Sequence, residues 1–128
     1  MAEMAEFVKV AVDAMGGDNA PTEIIKGAVQ AVEADERIRV CLVGKEEVIE
    51  RELASCTYPK DRVDIVNATE VIETAEPHVN AIRKKKDSSI VRGLELVKSG
   101  DCDAFVSAGS TGAVLVGGQV LVGRAKGV

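Results

Sequence analysis

Apolar residues along this 128-residue chain follow two alternating rhythms. Short runs rich in Val, Ile and Leu read as buried strands: 8–12 (Val8-Lys9-Val10-Ala11-Val12), 39–43, 63–66 and 104–107. Between them apolar residues recur three and four apart, the spacing of one helix face. In 22–34 that face is Ile24, Ile25, Ala28, Val29 and Val32; in about 46–54 it is Val48, Ile49 and Leu53. Pro21 sits just before or within the first helical turn, where its missing N–H costs nothing. A third helix is expected from about Ile90 to Lys98, with Asp87, Ser88 and Ser89 as N-cap choices and Gly100 as its C-cap. The turn Gly109-Ser110-Thr111-Gly112 leads into a last helix ending near Leu121. The stretch from 67 to 86, with Glu70 and Pro77, reads as a long connection.

Four strand–helix units in succession predict an α/β fold: a mainly parallel sheet with helices on both faces, in three layers α/β/α, as one domain over 1–128. The last helix is the exception to ordinary patterning. From 113 to 122 it is apolar almost all round, with Gln119 the one strongly polar side chain, so it wants cover on every side. The expectation is a lobe of a longer protein, or an oligomer contact at this end.

Composition narrows the partners. Phe7, Tyr58 and Phe105 are the only aromatics, and the net charge is -5. Both argue against nucleic acid, which is held by stacking and by cationic surfaces. Three cysteines (Cys41, Cys56, Cys102) with no C-x-x-C spacing, and a single histidine, give neither a zinc pattern nor a disulfide framework. A reducing cytoplasm is the expected compartment, with no metal and no cofactor. The acidic start lacks a signal peptide's basic opening, and the apolar stretch 112–123 is too short and Gly-rich to span a bilayer.

In an open α/β sheet, ligands bind beyond the carboxyl ends of the strands. After the first strand comes Asp13-Ala14-Met15-Gly16-Gly17-Asp18-Asn19-Ala20-Pro21. Its paired glycines suit close backbone approach, while Asp13 and Asp18 could orient a substrate group or a water; a tight turn with helix-capping aspartates explains the same residues. After the fourth strand, Ser107-Ala108-Gly109-Ser110-Thr111-Gly112 opens a helix and could offer backbone N–H groups to an anion, or could simply let that helix pack closely. It is neither a Walker A loop nor G-x-G-x-x-G. The run Arg83-Lys84-Lys85-Lys86-Asp87-Ser88-Ser89 is the densest positive charge of an acidic chain and stands before a helix. A solvated face accounts for it; so does a site for phosphate or an acidic protein partner. His78 reads as a loop histidine and not as a general base, and the cysteines as packing residues.

Taken together, in order and spacing, these three segments resemble the bacterial phosphate acyltransferase family of phospholipid synthesis. Val71-Ile72-Glu73 and the closing Val122-Gly123-Arg124-Ala125-Lys126-Gly127 resemble it too, so the likeness covers the chain from about Val8 onward. The resemblance implies a fold shared with phosphotransacetylases and isocitrate-dehydrogenase-like enzymes, of which this chain matches the first of two lobes. It implies transfer of a fatty acyl group from acyl-acyl carrier protein to inorganic phosphate, giving acyl-phosphate, by a homodimeric cytoplasmic enzyme peripheral to the inner face of the membrane. Two departures stand out: Ser110 occupies a position where the family more often has Asn, and the family's continuation after Gly127 is absent.

The residue types suit that chemistry. Phosphate is largely dianionic at neutral pH, and a thiol leaving group with a pKa of roughly 8.5 needs little acid help. The protein must then position the anion and stabilise the developing oxyanion. The expected catalytic residues are Asp13, Lys86 and Asp87. Those expected to hold substrate or phosphate are Gly16, Gly17, Asp18, Arg83, Lys85, Ser88, Ser107, Gly109, Ser110, Thr111 and Gly112. Two alternatives stand beside this reading: a non-catalytic binder of phosphate or carrier protein, and a phosphotransacetylase-like enzyme using acetyl-CoA.

Overall fold

The computed structural model describes residues 7–123. The acidic start and the closing residues 124–128 lie outside them. Four strands, β1 (Val8–Asp13), β2 (Ile38–Gly44), β3 (Val63–Asn67) and β4 (Ala104–Val106), form one sheet in the order β3-β2-β1-β4, every neighbouring pair parallel. Among the described residues five α-helices accompany them: α1 (Thr22–Ala34), α2 (Glu46–Leu53), α3 (His78–Lys84), α4 (Ser89–Ser99) and α5 (Thr111–Gly117).

Side-chain alternation divides the core between the two faces of the sheet. Val10 and Val12 of β1, Val40 and Leu42 of β2, and Val63 and Ile65 of β3 pack with Ile25, Val29 and Val32 of α1 and Ile49 and Leu53 of α2. The intervening residues Ala11, Cys41 and Val43 point to the other face, where Cys102 and Leu96 and Val97 of α4 cover them. A further cluster joins α3, α4 and α5 through Ala81, Ile82, Ile90, Val91, Leu94 and Ala113. Leu42 and Ile49 are fully buried, and each contributes about 1.5–3 kcal/mol by leaving water. This is the expected three-layer α/β/α arrangement.

The helix ends show how distant residues finish local structure. Ser88 caps α4, its Oγ accepting from Val91 N at 3.1 Å, and Gly100 closes that helix. No basic residue stands in the last turn of α1. Arg62, from a short 3-10 turn at Lys60–Arg62, supplies one instead: its Nη1 donates to the carbonyls of Val32 and Asp35 at 3.0 Å each.

Three expectations are corrected. The stretch before Asp87 is not all connection, because α3 occupies His78–Lys84 and takes in the first two residues of the basic run. The fourth strand stops at Val106, leaving Ser107 in the turn that follows. The last α-helix ends at Gly117 and continues as a wider π-type turn over Gly118–Val122, so it does not reach Leu121 as regular helix.

The strand order places the site. Crossovers carry the chain outward from β1 to β2 to β3, and the chain then returns past β1 to lay β4 on its other side. The direction of winding therefore reverses between β1 and β4. At such a reversal the connecting helices diverge to opposite faces, and a crevice opens at the carboxyl ends of the two strands.

Candidate functional site

Asp13 ends β1, and its carboxylate is buried. Its Oδ1 accepts from Met15 N at 3.0 Å, which shapes the turn after β1. Its Oδ2 accepts from Ser107 Oγ at 2.8 Å, and Ser107 Oγ accepts in turn from Gly109 N at 3.0 Å. A buried carboxylate is tolerated only with such partners, so Asp13 locks the two turns to each other. The backbones then nearly touch. A Cβ at Gly16 would lie 2.9 Å from Gly109 N, and Gly17 has a φ of 100°, so only glycine fits either place without strain.

Above this junction is a hollow of about 300 Å³, lined by residues 15–18 after β1, 109–110 after β4, and a third wall, 71–74, from the connection after β3. It gathers Gly16, Gly17, Asp18, Gly109 and Ser110 of the sequence-predicted residues, with Asp13 and Ser107 bonded directly against them. Ser110 caps α5, its Oγ accepting from Ala113 N at 3.2 Å. The first intrahelical bond of α5 runs from Val114 N to Ser110 O, so the amides of Thr111 and Gly112 precede it and have no intrahelical partner.

The basic run does not line the hollow. Arg83 and Lys86 are exposed. Lys85 Nζ is bonded to Glu76 Oε2 at 2.7 Å and to Val71 O at 2.9 Å. Ser88 is spent as the cap of α4. Asp87 accepts from Thr69 N at 3.0 Å and from the Thr69 hydroxyl, and pairs with Arg92 Nε at 3.2 Å. The Thr69 hydrogen bonds, helped by Arg92, hold its carboxyl below the ordinary range. Lys85 does the same for Glu76, together with the amide of Glu73.

His78 departs from its loop reading. It is the first residue of α3, not a loop residue, and its Nδ1 stands 3.5 Å from Ser110 Oγ. Its ring also fills the space a side chain on Gly112 would need. The signal was present: Pro77 followed by Val79 and Ile82 at helical spacing, with Arg83 and Lys84 at the end, is a helix start and stop pattern. At 3.5 Å the Ser110–His78 contact is at the outer limit of a hydrogen bond, and the serine oxygen also accepts the cap bond from Ala113 N.

The ionisable residues lining the hollow are both acidic, Asp18 and Glu73. Among the described residues, no cluster of His, Cys, Asp and Glu could hold a metal ion, and no helix is long and apolar enough to cross a membrane. What the hollow presents is backbone and small or acidic polar side chains, with no cationic residue among the described residues of its lining.

The model of a family described as fatty acid synthesis protein matches residues 8–128. A protein of Clostridium beijerinckii named phosphate acyltransferase is 54% identical over 121 residues, which are 94% of this chain and 36% of that protein's length. Proteins of the same name from Clostridium botulinum and Halothermothrix orenii are 50% identical over 121 and 117 residues, 94% and 91% of this chain. The chain thus spans little more than a third of the relatives it matches, 36% and 35% of the latter two.

Proposed function

The chain belongs to the fatty acid synthesis protein family, whose match takes in residues 8–128, and from that premise we propose that it forms the N-terminal lobe of a two-lobe acyltransferase. The enzyme moves a fatty acyl group from acyl-acyl carrier protein to inorganic phosphate, giving acyl-phosphate for phospholipid synthesis. The observation that carries the reading is the hollow at the winding reversal, where residues 15–18 and 109–110 meet over the Asp13–Ser107 bond.

In the reaction, a phosphate oxygen attacks the thioester carbonyl carbon. The C–S bond breaks, the carrier protein leaves as its free thiol with the proton from hydrogen phosphate, and a mixed anhydride of carboxylic and phosphoric acid remains. The attack needs no covalent enzyme intermediate, and the residues act by position. Gly16, Gly17 and Gly109 let the anion approach the backbone; Thr111 and Gly112 offer amide donors to phosphate or to the developing oxyanion. Ser110 and Asp18 orient the ligand from the wall. Asp13 and Ser107 hold the two turns in register, and Asp87 anchors the connection through Thr69.

Because Asp18 and Glu73 repel a dianion, the compensating cation comes from the second lobe, with exposed Lys86 and Arg83 attracting phosphate or an acidic carrier at longer range. We extend the reading to a cytoplasmic homodimer with peripheral membrane contact through the second lobe, on the strength of the family resemblance.

The test is an assay of the two-lobe protein with acyl-acyl carrier protein, reading free thiol and hydroxylamine-trappable acyl-phosphate. Equal release of both, dependent on phosphate, is expected. Thiol release that ignores phosphate, or turnover of acetyl-CoA alone, overturns the assignment; phosphate or carrier binding without any turnover identifies a binding module.

A further inference from the structure

The third wall of the hollow is held from behind. Lys85 Nζ donates to Val71 O at 2.9 Å and to Glu76 Oε2 at 2.7 Å, and the same Glu76 oxygen accepts from Glu73 N at 2.7 Å. One carboxylate oxygen therefore fixes an amide of the wall directly and, through the lysine, a carbonyl two residues earlier. Both side chains are about two-thirds covered, at 31% and 28% exposure, so their attraction is screened less than that of a surface pair. Immediately upstream, the backbone is tied to the opening of α4: Glu70 N donates to Asp87 O, and Ser89 N donates to Glu70 O, each at 3.1 Å. The wall thus leaves a fixed anchor at Glu70 and is clipped at Val71 and Glu73, and between these points its path is determined.

We propose that Lys85 and Glu76 are a positioning pair for the phosphate subsite: they set the course of the 71–74 wall and do not touch the anion. The proposal rests on the phosphate reading above and deepens it, since it converts a lysine of the basic run from a ligand into a support. The two roles predict opposite signs. If Lys85 were a phosphate ligand held in reserve by Glu76, removing the carboxylate would release its charge and tighten phosphate binding. If the pair supports the wall, removing either member loosens the same segment and weakens binding.

The experiment uses Glu76→Ala, Glu76→Gln, Lys85→Met and the Ala/Met double variant of the two-lobe protein. It reads amide hydrogen exchange across 71–74, affinity for inorganic phosphate by calorimetry, and steady-state kinetics. Expected are faster exchange at the Glu73 amide and a phosphate affinity about tenfold weaker in each single variant, with kcat within about threefold. The double variant should be no worse than either single, and Glu76→Gln, which can still accept from Glu73 N, should recover part of the loss. Unchanged exchange, or phosphate affinity that holds or tightens in Glu76→Ala, overturns the proposal. Exchange and phosphate affinity are read without turnover, so a wild-type protein that makes no acyl-phosphate would sink the assigned reaction and leave the positioning result standing.

Discussion

Ser107 Oγ donates a 2.8 Å hydrogen bond to Asp13 Oδ2, joining residues 94 positions apart in the chain. The bond crosses from β1 to the turn after β4, the two strands between which the sheet's winding reverses. Ser107→Ala leaves Asp13 with one fewer donor in a buried setting. The expected loss is about 1.5–3 kcal/mol of stability, the worth of a hydrogen bond to a charged group, with weaker phosphate binding alongside. Urea unfolding reads the first, and a variant as stable as the wild type would show that the junction is held by backbone packing alone.

Gly112 and His78 should be coupled. A methyl group at Gly112 meets the imidazole ring, so Gly112→Ala is expected to cost about 1–3 kcal/mol by overpacking. In a His78→Ala background the methyl has room, and the same substitution should cost far less. A double-mutant cycle on thermal unfolding checks this; additive losses would mean that the ring does not fill that space.

Arg62→Met tests the long-range finish of α1. It removes the Nη1 donor from the carbonyls of Val32 and Asp35, for an expected loss of about 1–2 kcal/mol. A shift in the urea midpoint at constant slope is the expected signature. No shift would mean that water replaces the guanidinium at no cost.

Acid should destabilise the fold through three carboxylates. The Arg37 guanidinium lowers Asp35 from its ordinary 3.8 to about 2, while hydrogen bonds lower Glu76 and Asp87. A depressed pKa means that the unfolded chain takes up protons first. The stabilisation is therefore complete above the ordinary carboxylate range and is lost as pH falls through the folded values. Asp35→Asn should flatten the fall in urea midpoint between 3.8 and about 2. An unchanged slope in that variant would contradict the assignment to Arg37.

Much of the fold can be read from residue order because strands and helices here differ in period: Val10, Val12, Val40 and Leu42 alternate, whereas Ile25, Val29 and Val32 follow helical spacing. The order β3-β2-β1-β4 cannot be read that way, since each crossover is compatible with either side of β1. The glycine turns after β1 and β4 were legible as candidates because glycine pairs mark close approach, and the hollow unites them.

The basic run is harder to place from sequence, for a physical reason. Charge density along the chain does not show which cations already have partners, and Glu76, nine positions before Lys85, takes that one. Exposed Lys86 is accordingly expected to contribute less than about 1 kcal/mol, as charges in high dielectric do. The third wall was visible only as family likeness at Val71-Ile72-Glu73, because its place depends on hydrogen bonds to Asp87, Ser89 and Glu76 that no local pattern records.

The measurement that bears most directly on the account is a titration of the isotope-labelled two-lobe protein with inorganic phosphate, following backbone amides by nuclear magnetic resonance. Saturable shifts at Gly16, Gly17, Gly109, Thr111 and Gly112, with smaller changes around Arg83 and Lys86, are predicted. Shifts confined to the basic run, with those glycine amides unmoved at saturation, would contradict it.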